Sequence, residues 1–382
     1  MLVSRRNFLR TVGIGAAAGA TVPWALGRPV PSVFEPMRPT TPDRFIRLDN
    51  NENAYGACRK ASAVMNSALS EVNRYPDADY DELTDRIARF HGARPSQVLL
   101  GCGSTEILRA AAMAFLGIGK QLVQPSPTFE AIERYTRSVG GDVLSVPLDS
   151  KFAHDLGSMR ERVSPSTTLV YICNPNNPTG SITPRKNLEA FISGLPVNCH
   201  VLIDEAYHHY AGESSMYTSF IDDPIADERI IVCRSFSKVH GLAGLRLGYC
   251  IAAPSSIQSM RSYITFGSIN SLAVRAAAAS LEDRESIRDF VRRNRDERQE
   301  FFNQAMARVL KPIDSHTNFV MMNTYHPSEG VIEHFRNENI LIGRYFPAMN
   351  TYIRVSIGLP EEMQGFWKAW DKLPFAKERR HH

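Results

Sequence analysis

The sequence predicts an α/β fold: a large domain with a mostly parallel sheet between helices, followed by a smaller α+β domain. Three short apolar runs, at residues 168–173, 201–203 and 229–233, indicate buried strands, and polar residues follow each run directly. In a parallel sheet the carboxyl ends of the strands share one edge, where ligands bind. The length of 382 residues suffices for about two domains with ample core.

The predicted strand ends carry an amide, then a carboxylate with a phenol, then a lysine. The motifs are N-P-N-N-P-T-G at 174–180, D-E-A-Y at 204–207, S-F-S-K at 235–238 and G-L-R-L-G at 244–248. Lys238 follows two serines and has an arginine eight residues further on. An amine beside hydroxyl and guanidinium donors suits a Schiff-base lysine next to a bound phosphate. Taken alone, S-x-S-K is also compatible with a surface lysine in a polar loop.

In this order and spacing the four motifs make the chain resemble the pyridoxal-phosphate-dependent enzymes of fold type I. The fold implied is that of aspartate aminotransferase, and the resemblance is greatest to the histidinol-phosphate aminotransferase group. It implies pyridoxal 5′-phosphate as cofactor and ping-pong transfer of an amino group between an L-amino acid and a 2-oxo acid. Decarboxylases and racemases use the same scaffold and core residues, so these reactions stay open as alternatives. The appearance of a 2-oxo acid product would separate them from transamination.

The resemblance also assigns roles to individual residues. The catalytic residues it implies are Lys238, Asp204 and Tyr207. The residues implied to bind the cofactor are Gly103, Ser104, Thr105, Phe129, Asn177, Asp204, Tyr207, Ser235, Ser237, Lys238, Arg246 and Tyr75. Those implied to bind the substrate are Tyr55, Asn177, Arg344 and Arg354. Asp204 would keep the pyridine nitrogen protonated, and Arg354 would grip the α-carboxylate through two parallel hydrogen bonds.

A glycine-rich turn follows the apolar run 98–100 and opens a predicted helix that extends to Leu116. Glycine lets a backbone approach an anion closely, and the first N–H groups of a helix favour phosphate. Ser104 at this turn could equally be a simple helix cap. Phe129, in the next loop, matches the aromatic residue that stacks on the pyridine ring in the family. The alternative is a core phenylalanine.

Two tyrosines of the N-terminal part match family positions. The segment 47–56 is similar to the family's L-D-x-N-E-N-P-Y-G arm, with Ala54 where proline is usual, and Tyr55 would reach the substrate side. A turn rich in asparagine and glycine is the alternative explanation. Tyr75 matches a tyrosine that reaches the cofactor phosphate of the neighbouring subunit, which implies a homodimer.

The C-terminal part predicts a small domain. Residues 271–309 have helical composition, and residues 318–322, 340–344 and 352–358 indicate strands. Arg354, in the last of these, would otherwise be a salt-bridged edge residue. Asn323 stands where many relatives carry another arginine, which leaves the acidity of the preferred substrate side chain open.

The first 27 residues resemble a twin-arginine export signal. Arg5 and Arg6 precede a Gly/Ala-rich apolar stretch that is shorter than the ~20 residues a bilayer span needs. We therefore expect a periplasmic or secreted protein with no stable membrane span, or a cytoplasmic one if the signal is not used. A general secretory signal and an uncleaved anchor are the alternatives. The predicted domains are the signal segment 1–27, an arm 28–57, a large cofactor-binding domain 58–268 and a small domain 269–382.

Composition excludes some other function classes. The net charge is only +4, which argues against a nucleic-acid partner. The six cysteines form no C-x-x-C pair, so we expect free thiols and no metal site. The scaffold also occurs as a ligand-sensing module fused to DNA-binding helices. We do not expect such a module here, because the stretch ahead of Asp43 is too short for one.

Overall fold

A computed structural model describes residues 45–376 of the chain. The strands are β1 (Ile46–Leu48), β2 (Val98–Gly101), β3 (Gln121–Ser126), β4 (Asp142–Pro147), β5 (Thr167–Cys173), β6 (His200–Asp204), β7 (Ile230–Ser235), β8 (Gly248–Ala252), β9 (Lys311–Pro312), β10 (Phe319–Asn323), β11 (Ile340–Ile342) and β12 (Tyr352–Ser356). The predicted signal segment 1–27 and most of the predicted arm 28–57 lie outside the described residues.

Helices alternate with most of these strands. They are α1 (Arg59–Ala68), α2 (Asp77–Phe90), α3 (Ser104–Phe115), α4 (Ala131–Ser138), α5 (Leu156–Arg162), α6 (Arg185–Ser193), α7 (His208–Ala211), α8 (Pro254–Arg261), α9 (Ser271–Glu282), α10 (Arg284–Ala307), α11 (Ser328–Asn337) and α12 (Pro360–Trp370). Single 3₁₀ turns occupy Leu69–Glu71, Pro95–Gln97, Ala243–Leu245, Pro347–Met349 and Pro374–Ala376.

The central sheet has seven strands in the order β2-β8-β7-β6-β5-β3-β4. All its neighbouring pairs are parallel except those made by β8, which runs antiparallel to both β2 and β7. The predicted α/β class with a mostly parallel sheet is therefore confirmed. In the register of the sheet Cys173 lies opposite Asp204, and Asp204 lies opposite Cys233. The carboxyl ends of β5, β6 and β7 consequently meet at one edge.

Both faces of this sheet are buried, as expected for parallel strands covered by helices. Along β5 the side chains alternate, so that Leu169 and Tyr171 pack with helix α3 in one core. Val170 and Ile172 point the other way and pack with helix α6 in a second core. The sheet edge that carries the polar residues is thus mounted on a rigid, closely packed layer.

The C-terminal residues build a separate core around aromatic side chains. The antiparallel sheet β12-β10-β9 and the parallel pair β1-β11 pack with helices α10, α11 and α12. Phe335 and Phe366 stack with ring centroids 4.7 Å apart in this core. Strand β1 belongs to it although it comes first among the described strands, since Ile46 lies opposite Ile340. The domain limits at residues 57 and 268 stay predictions.

The helical segment predicted at 271–309 forms two helices instead of one. Asp283 ends α9 and begins α10, because its carboxylate accepts a 3.3 Å hydrogen bond from the backbone N–H of Ser286. A carboxylate that caps the next turn in this way competes with continuation of the first helix. Between residues 45 and 376, none of the helices combines the length and apolarity needed to cross a bilayer.

Candidate active site

A cavity of about 540 Å³ opens at the carboxyl ends of β5, β6 and β7. Residues from the C-terminal core and from the segment after β1 close its other sides. Most of the predicted site residues line it, namely Ser104, Thr105, Phe129, Asn177, Asp204, Tyr207, Ser235, Ser237, Lys238, Arg246, Arg344 and Arg354. The edge of the parallel sheet thus gathers side chains that are up to 250 positions apart in the sequence.

The amine of Lys238 is held inside this cavity. Its Nζ donates hydrogen bonds to the carbonyl oxygens of Asn51, at 3.1 Å, and Asn50, at 3.3 Å. Burial, reinforced by the positive charge of Arg354, lowers the pKa of Lys238 to about 8. Near neutral pH about a tenth of Lys238 is therefore a neutral amine, far more than for a lysine with the ordinary pKa. Only the neutral amine is a nucleophile or a base.

Asp204 lies at the end of β6 and is buried. The hydroxyl of Tyr171 donates a 3.0 Å hydrogen bond to Oδ2 of Asp204, and the backbone N–H of Ala206 donates one of 3.0 Å to Oδ1. Burial raises the pKa of the Asp204 carboxyl to about 6, although both hydrogen bonds favour the ionised form. A buried carboxylate of this kind is stabilised by a cationic partner, such as a protonated ring nitrogen.

Tyr207 and Arg354 are linked through Asn177. The side-chain amides of Asn51, at 3.0 Å, and Asn177, at 3.5 Å, donate to the hydroxyl of Tyr207. The guanidinium of Arg354 donates a 2.8 Å hydrogen bond to Oδ1 of Asn177 and another of 2.8 Å to the carbonyl of Asp49. Its Nε is buried and has no partner among the described residues. Arg354 therefore keeps a donor to offer to an anionic ligand.

The residues predicted to bind the cofactor phosphate lie together at the start of α3, and we call them the phosphate cup: Gly103, Ser104, Thr105, Ser235, Ser237 and Arg246. Gly103 has φ +74°, a backbone conformation that favours glycine, and a Cβ there would lie 2.3 Å from a guanidinium nitrogen of Arg246. Arg246 is anchored by a 2.9 Å hydrogen bond from Nη1 to the carbonyl of Ala243. Ser104 is the first residue of α3 and no side chain caps this helix. An anion at this place can therefore accept hydrogen bonds from the first N–H groups of α3, from the guanidinium of Arg246 and from the hydroxyls of Ser235 and Ser237.

Both tyrosines predicted for the N-terminal part lie outside this cavity. Tyr55 stacks on Phe290 with ring centroids 5.9 Å apart, and the guanidinium of Arg293 lies 5.2 Å from its ring centre. Tyr75 is 86 % exposed. Phe129 lines the cavity as predicted and also packs against the core on the α3 side of the sheet, so the two explanations of this residue are compatible.

Several residues that line the cavity, or that support a lining residue as Tyr171 supports Asp204, were not anticipated from the sequence. Tyr171 lies in an apolar run that predicts a buried strand, and an aromatic residue in such a run does not indicate a role at a functional site. Asn51 belongs to the arm motif, but its position beside the Tyr207 hydroxyl has no local signature. Glu130 and Arg336 also line the cavity, and Glu130 forms an ion pair with Arg344. The sequence indicates part of this charged cluster, because Glu130 and Arg134 have the i, i+4 spacing of an ion pair on a helix.

Comparison with known proteins agrees with this geometry. Residues 43–366 match the family described as aminotransferase class I and II. Histidinol-phosphate aminotransferase 2 of Carboxydothermus hydrogenoformans is 35% identical over 347 residues, which are 90% of this chain and 94% of that protein.

Two solved structures are similar as well. A candidate histidinol-phosphate aminotransferase from Erwinia carotovora atroseptica has a TM-score of 0.83 at 33% identity, covering 88% of this chain and 97% of that one. Histidinol-phosphate aminotransferase from Sinorhizobium meliloti, solved in complex with pyridoxal 5′-phosphate, has a TM-score of 0.80 at 25% identity, covering 87% and 90%. With its motifs, cavity and sheet in agreement, the chain belongs to the class I and II aminotransferase family.

Proposed function

We propose that this protein is a pyridoxal-phosphate-dependent aminotransferase that moves an amino group between an L-amino acid and a 2-oxo acid by a ping-pong mechanism. One observation carries the proposal: a single cavity presents the Lys238 amine, the buried Asp204 carboxylate and the cup at Gly103 and Arg246. These are the amine, the ring-nitrogen partner and the phosphate donors that the cofactor requires.

The residues fit the cofactor in physical terms. Asp204 is a buried carboxyl whose pKa is raised by burial, and a protonated pyridine nitrogen beside it would compensate its negative charge. Gly103 has φ +74° and carries no side chain, so the backbone there can approach a phosphate closely. Tyr207 and Asn177 would hydrogen-bond the phenolic oxygen of the ring. Ser235, Ser237, Arg246 and the first N–H groups of α3 would hold the phosphate.

The roles of the protein side chains in transamination follow from these positions. When bound, the cofactor supplies an electron-accepting ring. The neutral amine of Lys238 would remove the proton from the α-carbon of the substrate and later return a proton, which favours a pKa near the working pH. Arg354 would hold the acidic end of the substrate through its unpartnered Nε and its terminal nitrogens. Asp204 would keep the ring nitrogen protonated throughout.

A panel of amino donors tests the proposal, with the cofactor absorbance followed after each addition and the 2-oxo acid product measured. Histidinol phosphate, aromatic and acidic amino acids belong in the panel. We expect at least one donor to change the absorbance and to give stoichiometric 2-oxo acid. Carbon dioxide or a racemised amino acid instead of the 2-oxo acid would contradict transamination.

The substitution Lys238→Ala provides the matched test of the amine. We expect this variant to lose turnover but still to bind cofactor through the phosphate cup, which dialysis and absorbance would show. A variant that keeps a rate near that of the wild type would disprove the assignment of Lys238.

We further infer that the protein is a homodimer in which Tyr75 reaches the cofactor phosphate of the neighbouring subunit. The high exposure of this aromatic side chain, which is not among the residues that line the cavity of its own chain, supports the inference.

We also infer export through the twin-arginine route. The pair Arg5 and Arg6 ahead of a short apolar stretch supports this inference. The twin-arginine pair lies outside the described residues.

A further inference from the structure

We propose that Glu130 is a displaceable counter-ion that sets which substrate side chains the cavity accepts. Glu130 stays paired with Arg344 when the side chain of the substrate is neutral. It releases Arg344 when that side chain ends in an anion. The inference rests on the proposed function, since it concerns the substrate of the same cavity. It assigns a specificity role to Glu130 and, through it, to Arg134.

Glu130 and Arg344 form an ion pair at the mouth of the cavity. Their side chains are 41% and 51% exposed, so the pair lies where the cavity meets solvent, whereas Arg354 deeper inside has a buried Nε. The two residues come from different parts of the chain, 214 positions apart, Glu130 beside α4 and Arg344 just after β11. The far end of a bound substrate side chain would therefore contact the Glu130–Arg344 pair rather than bulk water.

Arg344 does not depend on Glu130 for its position. Its Nη1 donates a 2.9 Å hydrogen bond to the carbonyl of Tyr345, and its guanidinium lies 4.2 Å from the ring centre of Phe346. The guanidinium of Arg354 lies 5.3 Å from the same ring, so both arginines pack against Phe346. If Glu130 moved away, Arg344 would stay in place with its remaining donors directed into the cavity.

Glu130 in turn has a second cationic partner. Arg134, one helical turn further along α4, lies 3.3 Å from the Glu130 carboxylate. Glu130 is also the N-cap residue of α4, yet its side chain makes no capping hydrogen bond. The positive end of the helix and Arg134 can both stabilise the carboxylate once it leaves Arg344. Displacement therefore does not leave an uncompensated charge.

An anionic side chain would find a second cation at the same mouth. Arg336 lines the cavity from α11, and among residues 45–376 no carboxylate forms an ion pair with it. A carboxylate or phosphate at the end of the substrate would thus replace Glu130 as the partner of Arg344. It would also have Arg336 as a second cationic partner. A neutral side chain of the same length would instead lie against the intact Glu130–Arg344 ion pair.

Glutamate and glutamine test this proposal, because they differ only in the charge of the terminal group. The apparent KM of each is measured from the change in cofactor absorbance, in wild type, Glu130→Gln and Arg134→Gln. Arg137→Gln is the control, since Arg137 forms the equivalent i, i+4 pair with Glu133 on α4, but Glu133, unlike Glu130, does not line the cavity.

We expect Glu130→Gln to lower the KM for glutamate about threefold to fivefold and to change that for glutamine less than twofold, the size expected of a half-exposed ion pair. Arg134→Gln should raise the KM for glutamate about twofold, because Glu130 then holds Arg344 more firmly. Arg137→Gln should change neither value. Equal shifts for both amino acids in Glu130→Gln, or equal behaviour of Arg134→Gln and Arg137→Gln, would overturn the proposal.

These outcomes separate the two levels of inference. A spectral response to the amino acids with an unaltered ratio of KM values would refute the role of Glu130 and leave the aminotransferase proposal standing. If no donor of the panel, including glutamate and glutamine, changed the absorbance of the wild type, the proposed function would fall, and the role of Glu130 with it.

Discussion

The hydroxyl of Tyr171 donates a 3.0 Å hydrogen bond to Oδ2 of Asp204 from the neighbouring strand of the central sheet. Both side chains are buried, and the other carboxylate oxygen is bonded to the backbone N–H of Ala206. Two donors thus oppose the burial that raises the pKa of Asp204 to about 6. Tyr171 is therefore a positioning residue for the carboxylate that we assign to the ring nitrogen.

Removal of this hydroxyl should weaken catalysis without removing the carboxylate. We expect Tyr171→Phe to lower kcat about tenfold, since a hydrogen bond to a charged group is worth roughly 1.5–3 kcal/mol. Asp204→Asn, which removes the charge itself, should slow α-proton removal by several orders of magnitude. Single-turnover rates would measure both. Tyr210→Phe serves as control, because Tyr210 is likewise a buried tyrosine but is not one of the donors to Asp204. A Tyr171→Phe rate no lower than this control would contradict the role.

The pKa of Lys238 predicts a pH dependence in the protein without cofactor. Its pKa of about 8 lies below the ordinary value of 10.5, so the folded protein carries a neutral amine above about pH 8, while the unfolded chain stays protonated up to about pH 10. Reductive labelling of Lys238 with a small aldehyde should therefore rise with a midpoint near pH 8. Arg354→Met should move the midpoint upward, because it removes a positive charge that lowers this pKa. An unfolded sample in urea gives the reference midpoint, and a folded midpoint equal to it would refute the prediction.

The proposed dimer predicts complementation between two inactive variants. Tyr75→Phe and Lys238→Ala each damage both sites of their own homodimer. In a mixed dimer, the intact Lys238 of one subunit meets the intact Tyr75 of the other, so one sound site forms and the two lesions coincide in the second. We expect activity to appear when the variants are dissociated, mixed and reassociated. Each variant treated alone is the control, and no gain on mixing would reject the shared site.

The export proposal predicts dependence on the arginine pair itself. Replacing Arg5 and Arg6 together by lysine keeps the positive charge but alters the feature that a twin-arginine receptor reads. We expect the wild type in the periplasmic fraction and the double-lysine variant in the cytoplasmic fraction of fractionated cells. Equal export of the two forms, or a wild type that stays in the cytoplasm, would disprove the twin-arginine proposal.

Most of the cavity could be predicted from sequence because it lies at strand ends. Asn177, Asp204 and Lys238 each follow a recognisable apolar run, and a parallel sheet places such ends side by side. The strand runs differ from the observed ones by one or two residues at their ends. This part of the site follows from local pattern plus one rule of sheet geometry.

The rest depends on contacts that no local pattern encodes. The Glu130–Arg344 pair joins residues 214 positions apart, and Tyr171 is indistinguishable in sequence from its apolar neighbours. Asp283 divides a continuous helical composition because one carboxylate caps the following turn. The antiparallel strand β8 was also not foreseen, since nothing in the run Gly248–Ala252 specifies its direction.

The pairing of β1 with β11 has a consequence for the order in which the chain folds. Next to this pair the backbone N–H of Asn51 donates to the hydroxyl of Ser356, 305 positions later, and the carbonyl of Asn51 accepts from both Lys238 and Asn318. Contacts across such a distance form late, because the intervening chain must first be ordered. We therefore expect the segment around Asn51, whose carbonyl Lys238 contacts, to be fixed in place only after Ser356 has emerged from the ribosome. Cofactor added to a chain truncated before β12 should consequently find a phosphate cup without a finished lysine pocket.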